Sequence, residues 1–247
     1  MKILLLFISI TISSISTADY SNHEDSKEVI DELVNVHGFE ESFVIEVLKN
    51  AKKRNEMLVS VANPAEKTKT WDEYKAIFLE KKRIANGKKF IKENIKTLER
   101  AEKEFGVPKE VITAILGVET RYGRIMGRYR VIDSLATLGF DDPRRSKFFR
   151  SELIQFFLLT RENNLDIFET KGSYAGAMGY GQFISSSYRA YAIDYDGDQY
   201  ADLFNSVDDA IGSIANYLKI HGWKRDGNIV TEVYPNNVRK FYKPHES

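Results

Sequence analysis

Apolar residues recur along most of the chain at three- and four-residue spacing, which lays them on one face of an α-helix. Val29, Ile30, Leu33 and Val34 make the first such stripe, and Asp25 and Glu28 ahead of it have the spacing of a capping box. Phe43, Val44, Val47, Leu48 and Ala51 make the second. Thr70 and Glu73 repeat the box spacing and open a helix carrying Tyr74, Ile77 and Phe78. Phe90, Ile91, Ile95, Leu98, Ala101 and Phe105 predict one long amphipathic helix that Gly106 ends, with Pro108 suited to the first turn of the next. That next helix runs from about Lys109 to Arg121. An aromatic-rich helix covers Phe148 to Leu159, Ser185 begins a short one, and Ser206 with Asp209 begins a last, through Ile211, Ile214, Ala215 and Leu218 to Gly222. Two stretches read as loops: the polar, proline-containing run from Asn63 to Thr70, and the glycine-rich run from Lys171 to Gln182. Ile229 to Tyr234 is a short candidate strand. The pattern predicts a mainly α protein.

Composition adds bounds. The 247 residues suffice for one sizeable domain, and 43% hydrophobic with 29% charged residues is ordinary for a globular chain. Lys and Arg number 36, as do Asp and Glu, so the basic excess of a nucleic-acid binder is missing and no such partner is expected. Lys2 precedes the apolar run Ile3 to Ile10, and small residues follow to Ser16-Thr17-Ala18. That layout predicts a signal peptide over residues 1–18, cleaved after Ala18, and no stable membrane span, the run being too short. A main domain is expected over 19–223 and a short tail over 224–247, in a protein soluble in the periplasm. The absence of cysteine rules out disulfides, thiolate catalysis, zinc–thiolate sites and a lipid on an N-terminal Cys.

Four segments carry candidate chemistry. In Val111-Ile112-Thr113-Ala114-Ile115-Leu116-Gly117-Val118-Glu119, the residues Ile112, Ile115 and Glu119 share one helix face. A carboxyl at the end of an apolar stripe is desolvated, stays protonated to higher pH and serves as a general acid. The same spacing also suits a structural ion pair with Arg121 or Arg124. The loop Gly172-Ser173-Tyr174-Ala175-Gly176-Ala177-Met178-Gly179-Tyr180-Gly181-Gln182-Phe183 lets a ligand approach the backbone, with Tyr174, Tyr180 and Phe183 as flat faces for sugar rings and Gln182 as an amide; a buried tight turn is the alternative. It lacks the Lys-Ser/Thr ending of a phosphate cradle, and no organic cofactor is expected. In Asp194-Tyr195-Asp196-Gly197-Asp198-Gln199-Tyr200 the alternate aspartates converge on one cation as in an EF-hand loop, although Gln199 replaces the glycine and Asn205 the closing Glu. Asp208 is positioned to close such a site, while a metal-free Asp-Gly-Asp turn is the plainer reading. Finally, Arg144 and Arg145 after Pro143 suit the carboxylate or N-acetyl groups of an acidic ligand, or simply a solvated helix start. The four histidines are scattered and carry no assigned role.

Together, Gly117-Val118-Glu119-Thr120-Arg121-Tyr122-Gly123, Leu135-Ala136-Thr137-Leu138, Pro143-Arg144-Arg145 and the whole string from Gly172 to Phe183 closely resemble the membrane-bound lytic murein transglycosylase B family, glycoside hydrolase family 103. The resemblance runs in order from about Val29 to Trp223. It implies a lysozyme-like α domain with extra N-terminal helices, acting on peptidoglycan glycan strands. It implies non-hydrolytic cleavage of the β-1,4 bond between N-acetylmuramic acid and N-acetylglucosamine, leaving a 1,6-anhydromuramyl end. Glu119 matches the family's single catalytic acid and base. Arg144, Arg145, Ser173, Tyr180, Gln182 and Phe183 match its glycan cleft and loop. Asp194, Asp196, Asp198, Tyr200 (by its carbonyl) and Asp208 match a modified EF-hand, so Ca2+ is the implied ion, in a structural role. Two other functions use the same residues differently: a homologue that holds peptidoglycan without cutting it, and a calcium-dependent structural protein of the envelope.

Overall fold

The computed structural model describes residues 19–63 and 69–230. The expected signal peptide, the middle of the Asn63–Thr70 loop and all of the candidate strand beyond Val230 lie outside those residues. Among the described residues the chain is built from helices, with one two-stranded antiparallel ribbon in which Tyr129 faces Gly172 and Arg130 faces Lys171. Among the described residues no helix is long and apolar enough to cross a membrane.

The core forms around the helix Val131–Asp141, whose first ten residues are all buried. It packs most extensively on the longest helix, Ser146–Glu162, which contributes Phe149, Leu153, Phe156, Phe157 and Leu159. The helix Val131–Asp141 is absent from the periodicity reading; its polar face of Asp133, Thr137 and Asp141 is turned onto the N-terminal segments and not to solvent, accepting from Lys52, Arg54 and Tyr20. Truncation of its Leu135, 1% exposed, to Ala is expected to cost about 2–5 kcal/mol, read as a lowered denaturant midpoint with unchanged m-value. The N-terminal helices are tied to this core by polar contacts. Asp133 accepts the Lys52 amide at 2.9 Å, and the Thr137 hydroxyl accepts the Arg54 amide at 3.1 Å.

Most expected helices form within a residue or two of their predicted ends: Glu41–Asn50, Trp71–Phe78, Lys109–Thr120, Ser185–Tyr191 and Val207–Ile220. Gly106 caps its helix in the left-handed conformation, at φ 75°. The capping box of Thr70 and Glu73 is present in both directions. Two expectations fail. Asp25 makes no cap bond; its carboxylate turns to Arg150, 2.9 Å away, because a buried guanidinium is the stronger partner. The helix expected from Phe90 to Phe105 is two helices, Lys81–Glu93 and Ile95–Phe105, broken at Asn94. The Asn94 side chain donates to the Phe90 carbonyl at 2.9 Å, the local competition by which Asn interrupts helices.

Candidate active site

Glu119 sits in the last turn of the helix Lys109–Thr120, and the turn that follows sets where it points. Arg121, Tyr122 and Gly123 all adopt positive φ, at 52°, 64° and 78°. The buried Thr120 hydroxyl holds this turn to the glycine-rich loop: it donates to the Tyr180 carbonyl at 2.8 Å and accepts the Gly123 amide at 2.9 Å. The loop closes on itself through paired backbone bonds between Met178 and Phe183, at 2.9 and 3.0 Å. Glycine is obligatory where these segments touch. A Cβ on Gly123 would lie 1.8 Å from the Tyr180 ring, and one on Gly179 would lie 2.4 Å from the Leu203 carbonyl oxygen.

The result is an open cleft of about 390 Å³ into which Ile115, Glu119, Gln182, Phe183, Ile214 and Tyr217 project from three segments. Among the described residues Glu119 is the one carboxyl of its lining. Its side chain reaches the solvent of the cleft and is not sealed in the core. The protein mass around it still raises its pKa above the usual carboxylate value, and desolvation is the cause. Ile112 is fully buried beneath it and Ile115 forms the apolar wall, as the shared face predicts. Among the described residues no ion pair joins Glu119 to Arg121 or Arg124. The carboxyl is therefore placed to give a proton to a leaving oxygen and to take one back.

The other expected residues divide. Gln182 lines the cleft, with φ 51°, but its amide nitrogen is spent on the Met126 and Gly179 carbonyls at 3.2 and 3.0 Å. Phe183 also lines the cleft, yet it is 7% exposed and meets Tyr217 edge-to-face, so it braces a wall and offers no free face. Tyr180 packs over Gly123 outside the lining. The Ser173 hydroxyl is turned into its own loop, accepting from the Ala175 and Ala177 amides. Arg144 and Arg145 are exposed at the start of the long helix and are not part of this cavity, Arg145 lying 4.5 Å over the Phe148 ring. Tyr217 was missed by sequence reasoning. Its signal was available: Ile214 and Tyr217 are one helical turn apart on the inner face of the last helix.

In the aspartate loop, carboxylate oxygens of Asp194, Asp196 and Asp209 lie within 4.8 Å of one another. Asp209 takes the place expected of Asp208. It is the buried one, accepting the amides of Tyr195, Asp196 and Asp202, whereas Asp208 is half-exposed on the preceding helical position. Asp198 and Tyr200 are exposed and stand outside the trio. Burial raises the Asp209 pKa against the three backbone amides that lower it, and the Asp196 charge adds a smaller upward push. Three convergent carboxylates are hard oxygen donors of the kind that suit a calcium ion.

The family model described as "Transglycosylase SLT domain" matches residues 21–246. The chain is 42% identical over 220 residues to membrane-bound lytic murein transglycosylase B of Escherichia coli (strain K12), covering 85% of this chain and 61% of that protein. Soluble lytic transglycosylase SltB1 from Pseudomonas aeruginosa superposes with a TM-score of 0.81 at 42% identity, over 88% of this chain and 74% of its own. The Escherichia coli lytic transglycosylase Slt35 in complex with calcium superposes at 0.79 and 42% identity, over 85% and 67%. The expected mainly α, lysozyme-like architecture is the one these solved structures share with this chain. By matched length, identity and fold together, the chain belongs to the transglycosylase SLT domain family.

Proposed function

We propose that this chain is a peptidoglycan lytic transglycosylase. It cleaves the β-1,4 bond between N-acetylmuramic acid and N-acetylglucosamine and leaves a 1,6-anhydromuramyl end. The observation that carries this reading is a single carboxyl in the cleft, raised in pKa by desolvation and free of a cationic partner. Two-carboxylate glycosidases place a second acid across the scissile bond, and among the described residues the lining holds none. One group must then do both proton transfers. Protonated Glu119 gives its proton to the glycosidic oxygen as the bond to the anomeric carbon breaks. The resulting carboxylate accepts the proton of the muramyl 6-hydroxyl as that oxygen closes on the same carbon. Glu119 ends protonated and no water is consumed. Likeness to relatives supports the substrate class: a 28% identical structure, SltB3 from Pseudomonas aeruginosa, was solved with NAG-anhNAM-pentapeptide, and Slt35 with bulgecin A. The chain spans 61% of the length of the Escherichia coli relative it matches, so the whole protein's activity belongs to this proposal. The deciding experiment is digestion of purified sacculi with mass analysis of the products. Anhydro-muropeptides are expected; reducing muramyl ends would make the enzyme a hydrolase, and no release with retained binding would make it a glycan-holding homologue.

The domain is assigned to residues 19–223, following a signal peptide over 1–18 that delivers it to the periplasm, with 224–247 as its tail. Ca2+ has a structural role in the aspartate loop, held by Asp194, Asp196 and Asp209, with Asp198 and the Tyr200 carbonyl available as further oxygen ligands. Its positive charge would neutralise the convergent carboxylates. A ligand that binds only the folded state stabilises it by about 2.7 kcal/mol at a hundredfold excess over its dissociation constant. Calcium is thus expected to raise the Tm of the wild type over that in chelator, and Asp194→Ala with Asp196→Ala to abolish the difference. Equal melting of the wild type in both buffers would leave the loop a metal-free turn.

A further inference from the structure

A second cavity, of about 230 Å³, shares no lining residue with the Glu119 cleft. It lies between the first turn of the helix Lys81–Glu93 and the left-handed turn after Thr120. Four cationic side chains line it, Lys82, Arg83, Arg121 and Arg124, against one acid, Glu80. In a chain of zero formal net charge, that concentration of one sign is a feature of placement.

Arg83 makes the cavity a built site. It is 8% exposed, its guanidinium lies 5.4 Å over the Phe78 ring, and its Nε and Nη1 are buried with no hydrogen-bond partner among the described residues. Buried guanidinium donors left unpaired are costly, and a lining Arg in this state lacks an acceptor of the opposite charge. Its backbone is fixed by the Tyr122 hydroxyl, which donates to the Arg83 carbonyl at 2.9 Å. Tyr122 itself stands between Arg121 and Gly123 in the run of three positive φ values, so the strained turn both closes the cavity and aligns Arg121 and Arg124 along it. Lys82, Arg121 and Arg124 are exposed, so they screen a ligand loosely, while the Arg83 charge is largely removed from water.

We propose that this cavity is a second binding site, specific for a compact oxyanion, carboxylate or phosphate, that docks against the buried Arg83 guanidinium. The site stands apart from the glycan-cleavage reading, and its test uses no glycan. Isothermal titration of the full chain in 150 mM salt with glutarate and, separately, with inorganic phosphate is expected to give saturable binding, with glutaramide inert. The exposed double variant Lys82→Gln with Arg124→Gln is expected to weaken binding tenfold or more at an unchanged Tm without ligand. Arg83→Gln is expected to abolish binding and, since it removes an unmet buried charge, to leave the unliganded Tm unchanged or higher. Response to glutarate alone assigns the site to a carboxylate, and response to phosphate alone assigns it to a phosphate; either supports the site. Absence of heat with both anions, equal binding of glutaramide, or unaltered affinity in the double variant overturns it.

Discussion

Glu119→Gln is expected to reduce the release of anhydro-muropeptides from sacculi by about a hundred- to ten-thousand-fold, the usual contribution of a positioned acid and base. Gln keeps the shape of the side chain and loses both proton steps. The fold should survive, because Glu119 makes no ion pair among the described residues and faces the open cleft. The sign of its pKa shift sharpens this. The folded protein holds the proton to a higher pH than the unfolded chain does. Between the two pKa values the native state therefore binds more protons, and stability falls as pH rises through that window. The contribution is favourable to folding only below it. Gln has no proton to lose, so the variant should melt at or above the wild-type temperature at neutral pH. In the wild type, turnover should also decline on the alkaline side as the acid form is lost. A variant that loses stability while its folded fraction keeps cutting would return Glu119 to a structural role.

Gly127→Ala is expected to cost about 2–6 kcal/mol, combining backbone strain with overpacking. Gly127 has φ 106°, and a Cβ there would fall 2.0 Å from both the carbonyl carbon and oxygen of Gly172. Those are backbone atoms of the ribbon that starts the glycine-rich loop, so no side chain can swing aside. Gly38→Ala is the matched control: φ is 67°, yet its Cβ would meet nothing within 4 Å. It should cost only the conformational share, about 1–2 kcal/mol. Chemical denaturation of both variants measures the difference, and equal losses would remove the steric contribution. Because Gly172 leads into Ser173 and the loop that carries Gln182, Gly127→Ala should also depress cleavage more than its folded fraction accounts for.

Periodicity in the chain was sufficient for the amphipathic helices. Their stripes and stop signals are local, and Gly106, Thr70 and Ser206 act on neighbours three or four residues away. The same locality marked Glu119 with Ile112 and Ile115, and the motif strings carried the family. Other features needed partners distant in the chain. Val131–Asp141 buries even its polar face of Asp133 and Thr137, and what makes it central is the Ser146–Glu162 helix packed on it. Asp25 left its capping role for an arginine 125 positions away. Asn94 broke one amphipathic stripe into two helices without changing the stripe's period.

The site follows the same division. Sequence by itself determined that one carboxyl ends an apolar face and that a glycine-rich loop and an aspartate loop accompany it, because residue type and spacing are enough for those statements. Tertiary structure alone decided that Thr120 bonds the loop to the Glu119 helix, that Tyr217 joins the cleft, and that Asp209 rather than Asp208 turns inward. It also decided that Arg144 and Arg145 stand outside the cavity while Arg83 is buried in a different one. Adjacent helical positions differ by about a hundred degrees in direction, so which of two neighbouring aspartates is buried depends on the surface the helix meets. That surface comes from chain segments far away, and spacing along a single helix carries no record of them.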